Sequence, residues 1–486
     1  MKKVTFKLLL GFTCLFFFFV DHSEAQQPIN RVVIEPLQFP IPERDAGQTH
    51  VLGLTCDPIP TVRIGFIGLG MRGKGAVVRM LTVGDIEIKA ISDLEQFNLD
   101  QVQKNIKEQN HPVADEYTGE NGWKELCERK DIDLIYICTD WYSHVPIAVY
   151  AMQHNKHVAI EVPAAITLDE CWQLVNTAEK TRRHCMMLEN CCYDRFELAT
   201  LNMAQQGLFG EIVHVEGAYL HDLRQINANP RMSDNQRYEP GVGTINQNAP
   251  GVIGYHSQWR QRFNIEHTGN PYPTHGLGPV CQLLNIHRGD RMKVLISLSS
   301  DQYGITEYLK ERFGEDSAEA KQHYAMGDMS TTVIKTEKGK TIMVQHGGST
   351  PRPYSRIHQV VGTKGFAQKY PVNQLLIDSE GTRALSKEKV DSLLTVYEHP
   401  FYQELGKDAY RMRMISHGGM DYIMDYRLIY CLKNGLPLDQ DVYDAVEWSC
   451  IVELSEISAK NNGIPVEIPD FTRGEWNELK GLHFAW

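Results

Sequence analysis

The glycine pattern Gly68-Leu69-Gly70-Met71-Arg72-Gly73 lies between an apolar run, Val62–Ile67, and a helical pattern through Val77, Met80 and Leu81. Glycines so placed allow a tight strand-to-helix turn, bring backbone close to a pyrophosphate, and let helix and strand pack closely. The pyrophosphate charge then rests at a helix N-terminus. Asp93 stands 20 positions after Gly73, just past a second apolar run, Ile86–Ser92. A carboxylate there accepts from ribose hydroxyls and repels a 2′-phosphate, which favours NAD over NADP. The glycines alone are a weak signal. Between a strand and a helix, with the following acid, they specify dinucleotide binding.

The alternation continues. Leu99–Ile106 reads as a helix, Asp133–Cys138 as a strand, Pro146–His154 as a helix and His157–Glu161 as a strand. Thr167–Arg182 reads as a helix opened by Thr167 and Asp169. Residues 61–188 are thus expected to form a doubly wound parallel α/β domain. Such sheets bind ligands at the carboxyl ends of strands. Two further loops fall there, Thr139-Asp140-Trp141-Tyr142-Ser143-His144 and Glu161-Val162-Pro163. After residue 188 the texture changes. Ile212–Tyr219 alternates as a strand, and a polar, Asn- and Gly-rich stretch covers 225–270. Met329–Thr336 and Lys340–His346 suit a hairpin around Lys338-Gly339; Arg356–Val361 suits another strand. Met420–Cys431 and Val442–Ala459 are helical patterns. Residues 189–486 are expected to be a second α/β domain with a mixed, largely antiparallel open sheet.

At 486 residues the chain has material for two or three domains, and 42% hydrophobic with 23% charged residues is a folded, soluble composition. A net charge of −12 argues against a nucleic-acid partner, since phosphate neutralisation needs a basic surface. Residues 1–25 form a secretory signal: Lys2, Lys3 and Lys7, then apolar Leu8–Val20, then Ser23-Glu24-Ala25 as a small-residue cleavage site. The apolar run is shorter than the ~20 residues a membrane span requires. The mature protein is therefore expected to be periplasmic or secreted, with no stable membrane insertion after cleavage. No Arg-Arg pair precedes the run, so a Sec-type route is expected. Residues 26–60, rich in proline, suit an extended arm. The cysteines outside this signal include no CxxC pair and read as buried free thiols. No HExxH, paired CxxC or EF-hand pattern points to a metal.

The fingerprint, the Thr139-Asp140…His144 loop and the Glu161-Val162-Pro163 loop together resemble the Gfo/Idh/MocA oxidoreductase superfamily. Its dehydrogenases usually carry Glu-Lys-Pro, with the lysine assisting proton removal from a substrate hydroxyl. Val162 cannot take a proton. The second half narrows the resemblance. Trp259-Arg260, the run Asn270-Pro271-Tyr272-Pro273-Thr274-His275-Gly276-Leu277-Gly278-Pro279, Gly347-Gly348 with Pro353-Tyr354, and His417-Gly418-Gly419-Met420-Asp421 are similar to glycoside hydrolase family 109. With the first half, the resemblance spans about residues 60–480. It implies a Rossmann domain and NAD-dependent cleavage of terminal α-N-acetylgalactosaminides. Residue by residue, it implies that Gly68, Gly70, Met71, Arg72 and Gly73 meet the dinucleotide through the turn and that Asp93 holds its ribose. Trp141, Tyr142, Ser143, His144, Glu161, Val162 and Asn190 would line the rest of the cofactor. Tyr219, Arg260, Tyr272, Pro273, Thr274, His275 and Tyr354 would face the sugar, with Tyr272 touching both ligands. It also implies a homodimer paired through the open sheet of the second domain.

A conventional glycosidase flanks the bond with two carboxylates and leaves an NAD site unexplained. The redox route uses it. Carbon 3 of the sugar is oxidised, the ketone acidifies the proton on carbon 2, and a base removes that proton as the glycosidic oxygen leaves carbon 1. Water adds to the enone and carbon 3 is reduced again, so no NAD is consumed. His275 is the first candidate for proton transfer, because an imidazole suits reversible transfer near neutrality. Tyr272 is the second. One rival reading is an exported NAD(P)-dependent sugar oxidoreductase of the glucose–fructose oxidoreductase type. Another is a non-catalytic sugar- or nucleotide-sensing module.

Overall fold

The computed structural model describes residues 34–224, 259–378, 381 and 383–486, with the backbone of the short strands Arg237–Tyr238 and Ile245–Asn246. The signal sequence, the first part of the arm (26–33) and most of the polar stretch beginning at residue 225 lie outside the described residues. No helix among those described is long and apolar enough to cross a membrane.

Six short strands build a parallel sheet: β1 (Val62–Ile67), β2 (Ile86–Asp93), β3 (Asp115–Thr118), β4 (Leu134–Ile137), β5 (His157–Ile160) and β6 (Cys185–Met187). β1, β4 and β5 are apolar on both faces because helices cover both, the usual reason such strands show no alternation. The strand order is β3-β2-β1-β4-β5-β6, so the chain winds outward from β1 in both directions. Its switch point falls between β1 and β4, whose carboxyl ends part to leave a crevice. β3 and β6 are too short and too weakly patterned to be read from sequence, and they close the two edges.

The larger sheet joins β7 (Ile212–Leu220), β10 (Met292–Ser299), β11 (Ser330–Thr336), β12 (Thr341–Gly347), β13 (Gln359–Gly362), β14 (Gly365–Gln368), β15 (Gln374–Ile377) and β16 (Val466–Glu467); the strands at 237–238 and 245–246, β8 and β9, pair separately. Its order is β15-β14-β13-β7-β12-β11-β10-β16, antiparallel except for β7 beside β12. β10, β11 and β12 alternate buried and exposed residues, as a one-sided sheet must. Helix Thr274–Leu284 covers β7 and β12, and helix Ile451–Lys460 covers β10. The long helical pattern expected over Val442–Ala459 is two helices, Val442–Ser449 and Ile451–Lys460, meeting at Cys450.

Residues 36–60 run without helix along the main body. Arg44 reaches Glu179 at 3.0 Å and Glu475 at 2.7 Å, and the Ile59 amide donates to the Leu432 carbonyl. The ten described cysteines are unbridged, and nine are buried.

The C-terminal residues close over a buried cation. Arg427 pairs with Asp439 at 2.7 Å beneath the rings of Phe401 and Trp486, 4.5 and 4.9 Å from its guanidinium carbon. Removing it strands Asp439 without a counter-charge. Arg427→Ala is therefore expected to cost about 3–5 kcal/mol, read as a lowered midpoint in chemical or thermal unfolding.

Candidate active site

The turn after β1 is shaped for a close-lying ligand. Gly68 has φ +86°, and a Cβ there would lie 2.7 Å from the Cys138 carbonyl carbon. A Cβ on Gly73 would stand 1.9 Å from the Gly68 oxygen, so the turn closes only with glycine. Gly70 differs: a Cβ there would meet nothing within 4 Å. It borders a cavity of about 480 Å³, within the size range of cofactor sites. Asp93, Thr139, Tyr142, Ser143 and Trp259 are also on its wall. Helix Met71–Met80 begins there with no side chain capping its first turn, so its amide donors remain available for an anion. Asp93 accepts from the Leu69 amide at 2.6 Å, the Glu95 amide and the Asn98 side chain, which fixes the carboxylate beside the turn. Open backbone at Gly70, an uncapped helix start and a fixed acid fit a dinucleotide.

The two other loops are tied together. Both ring nitrogens of His144 lie against backbone carbonyls, of Pro163 at 2.9 Å and Thr139 at 3.1 Å. Burial pushes the imidazole pKa down, against the two carbonyls, which favour the protonated ring. Its ring is thus enclosed between the loops instead of bordering the cavity. Trp141 donates its indole N–H to the Val162 carbonyl at 3.2 Å. The Val162 side chain is buried, and no proton-transfer group stands where superfamily dehydrogenases carry lysine. Arg72 turns its guanidinium away from the cavity, onto Glu161 at 2.5 Å and Asp421 at 2.9 Å. Met71 is exposed beside the turn, and Asn190 is buried with its amide donating to Asp421.

Trp141 connects the cavity to an aromatic cluster. It stacks on Tyr272 at 6.0 Å between ring centroids, and the Arg260 guanidinium lies over both rings at 4.6 and 4.9 Å. Tyr219 lies 4.8 Å from Tyr272 and 5.4 Å from His275, and Tyr354 flanks it at 6.1 Å. Local chemistry explains how this set is held. The Asn270 side chain accepts from the Tyr272 amide, and Pro273 caps the helix that begins at Thr274, placing His275 in its first turn. Gly276 and Gly278 let that helix sit close: a Cβ at Gly278 would be 2.7 Å from Glu189 Cγ. The structure thus assembles Tyr219, Arg260, Tyr272, His275 and Tyr354, which are scattered over 136 positions (354 − 219 + 1), around one patch, with Thr274 fully buried at the helix start.

Three nearby groups are not evident from the sequence motifs. Glu189, fully buried after β6, receives the His275 Nδ1 proton at 2.8 Å. Burial pushes its carboxyl up, but the adjoining imidazole outweighs this and holds it below its ordinary range. The charged carboxylate fixes the Nδ1–H tautomer and leaves Nε2 as the acceptor. The signal for it is an acid directly before Asn190, at a strand's carboxyl end. His346 pairs with Tyr219 across β12 and β7 and lies parallel to its ring; burial with the charge of Arg260 pushes it down to about 3, so it is neutral. His221 lies 5.2 Å from Tyr354. Glu189, Cys191 and His275 also bring ligand-type atoms within 4.8 Å of one another. The Arg356 guanidinium, 2.9 Å from the Cys191 sulfur, opposes a cation there.

Glu189→Gln is expected to lower kcat on the order of 10²-fold with little change in KM, because the amide no longer specifies the His275 tautomer. Steady-state kinetics would read the split.

The parallel sheet, the open glycine turn and the acid after β2 define a Rossmann-type dinucleotide-binding domain. Residues 62–189 match the family model described as oxidoreductase family, NAD-binding Rossmann fold. Residues 193–478, more than half of the chain, match glycosyl hydrolase 109, C-terminal domain, and the chain belongs to glycosyl hydrolase family 109. It is 58% identical over 432 residues to a Bacteroides fragilis protein named alpha-N-acetylgalactosaminidase, covering 89% of this chain and 97% of that one. It is 55% identical over 429 residues to glycosyl hydrolase family 109 protein 2 of Phocaeicola vulgatus, covering 88% and 99%. The solved structure of a levoglucosan dehydrogenase with NADH and L-sorbose shares the fold, at a TM-score of 0.59 and 17% identity over 85% of this chain and 100% of that one.

Proposed function

We propose that this chain hydrolyses terminal α-N-acetylgalactosaminides with NAD as a recycled cofactor. The observation that carries the reading is continuity: Trp141 borders the loop that lines the dinucleotide cavity and stacks on Tyr272, next to His275 and Tyr219. The 58% identical relative named for that activity supports the substrate. Gly68, Gly70, Asp93, Tyr142 and Ser143 would hold the dinucleotide, which when bound supplies reversible oxidation at carbon 3 of the sugar. Tyr272 and Tyr219 offer ring faces to the sugar, and Arg260, held over Trp141 and Tyr272, offers guanidinium donors to its hydroxyls or acetamido carbonyl. His275, with Nδ1–H committed to Glu189, would accept and return a proton at Nε2. Val162 puts a buried apolar side chain where superfamily dehydrogenases carry their lysine, so in this reading proton transfer at the sugar falls to His275.

The reading includes export through the N-terminal signal and pairing of two copies through the larger sheet. Val213, Ile296, Leu298 and Val333 leave apolar side chains exposed on its strands, which supports such pairing. The test is a panel of p-nitrophenyl glycosides with and without added NAD⁺. Nitrophenol release confined to the α-N-acetylgalactosaminide and dependent on NAD⁺ is expected. Accumulating NADH from free sugar with every aryl glycoside intact would make the chain an oxidoreductase instead. Sugar binding without turnover would make it a sensor.

A further inference from the structure

The His417-Gly418-Gly419-Met420-Asp421 segment takes no part in the sugar patch, yet its chemistry is highly specified. His417, Gly418 and Gly419 have successive φ values of 44°, 80° and 111°, a run of left-handed residues. A Cβ on Gly419 would sit 2.8 Å from the Ala409 oxygen. The reversal brings His417 Nδ1 to within 2.8 Å of Asp421, in the first turn of helix Met420–Asn434. That helix packs on helix Met71–Met80, which begins at the glycine turn.

Asp421 is fully buried and gathers four groups. Its carboxylate accepts from Arg72 Nη1 at 2.9 Å, Asn190 Nδ2 at 2.5 Å and His417 Nδ1, and Arg79 Nη1 lies at 3.6 Å. Burial alone would push its pKa up, but Arg72 and Arg79 hold it far below the ordinary carboxylate range, so it is charged. Arg72 is the fifth residue of the Gly68–Gly73 pattern, and its other face pairs with Glu161, the first residue of the Glu161-Val162-Pro163 loop. One guanidinium thus cross-links the loop after β1 to the loop after β5, and one carboxylate from the C-terminal half fixes that guanidinium.

We propose that Asp421, oriented by His417, is the anchor that holds both cofactor loops in their dinucleotide-binding geometry and so governs retention of NAD. These are positioning residues acting through Arg72 and Glu161. The inference rests on the NAD site of the proposed function. An enzyme that regenerates its cofactor in each turnover gains from slow dissociation, and loops fixed before binding cost less ordering when the ligand arrives.

The test is calorimetric titration of NAD⁺ into the nucleotide-stripped full chain, with thermal unfolding measured in parallel. Asp421→Asn is expected to raise Kd about 10- to 100-fold, the size of one charge-assisted hydrogen bond. His417→Ala is expected to raise it about threefold to tenfold, the size of an ordinary one, without loss of fold, since that side chain is 60% exposed. Asp425→Asn is the control. Asp425 is equally buried and pairs with Tyr136 and with Arg79, the cation it shares with Asp421, and no contact joins it to Arg72 or Glu161 within hydrogen-bond distance among the described residues. Its Kd should stay within about twofold of wild type, since the contacts it loses are not to the loops. Unchanged Kd in Asp421→Asn and His417→Ala overturns the anchor, as does an equal loss in Asp425→Asn. If Asp421→Asn does not fold, His417→Ala decides. A wild-type chain that binds no NAD⁺ would instead overturn the underlying cofactor reading.

Discussion

His275→Ala is expected to reduce kcat on an aryl α-N-acetylgalactosaminide by about 10³-fold while the protein still binds NAD⁺ with wild-type affinity. The size follows from what the residue does. A positioned proton-transfer group contributes about 10²–10⁴-fold. Here the group is neither free nor interchangeable: its Nδ1 proton is committed to a buried carboxylate, its ring lies 4.9 Å from Tyr272, and it begins a helix packed on β7. Water entering the space left by the ring would lack both that orientation and that basicity. The NAD⁺ arm separates this loss from a collapse of the site, because the glycine turn and Asp93 lie on other elements. A variant that turns over at near the wild-type rate would remove His275 from the chemistry.

Gly70→Ala is expected to weaken NAD⁺ binding by at least about 10²-fold while leaving the unliganded protein as stable as wild type. The new methyl meets no protein atom within 4 Å, and φ −62° at this position suits alanine. It would instead occupy space beside the cavity, where backbone must approach a pyrophosphate. Gly73→Ala is the informative contrast. Its methyl would lie 1.9 Å from the Gly68 oxygen, so the turn itself must move, and stability as well as binding should fall. Calorimetric binding and thermal unfolding on both variants read this difference. Equal destabilisation would mean that Gly70 is needed for folding and not for a ligand.

Much of this was legible in the chain because the relevant physics is local. Within the turn at 68–73, Gly73 is dictated by Gly68 five residues before it, and the buried strands β1, β4 and β5 announce themselves as apolar runs between turn signals. The Asn270–Pro279 run is legible for the same reason, being a self-contained turn and helix start. What the sequence hides is set by distance. Glu189 is one acid among 61, and only the fold brings it to His275, 86 positions away. Arg72 reads as a cofactor contact because of its place in the turn, yet its side chain faces Asp421, 349 positions on. His144 reads as a ligand contact from its loop, and its ring is enclosed by two carbonyls. β10 shows only weak alternation and becomes a strand through pairing with β11 and β16. Tertiary partners decide each of these, and pattern carries no record of them.

Elimination after oxidation at carbon 3, the proposed route of bond cleavage, requires carbon 2 to lose its proton and regain one from solvent. The direct measurement is hydrolysis of an α-N-acetylgalactosaminide in deuterated water with NAD⁺ present, followed by mass and NMR analysis of the released sugar. One deuterium on carbon 2 of the product, absent from unreacted substrate, is the expected result. Product carrying only protium at carbon 2 would mean direct displacement at carbon 1 and no elimination.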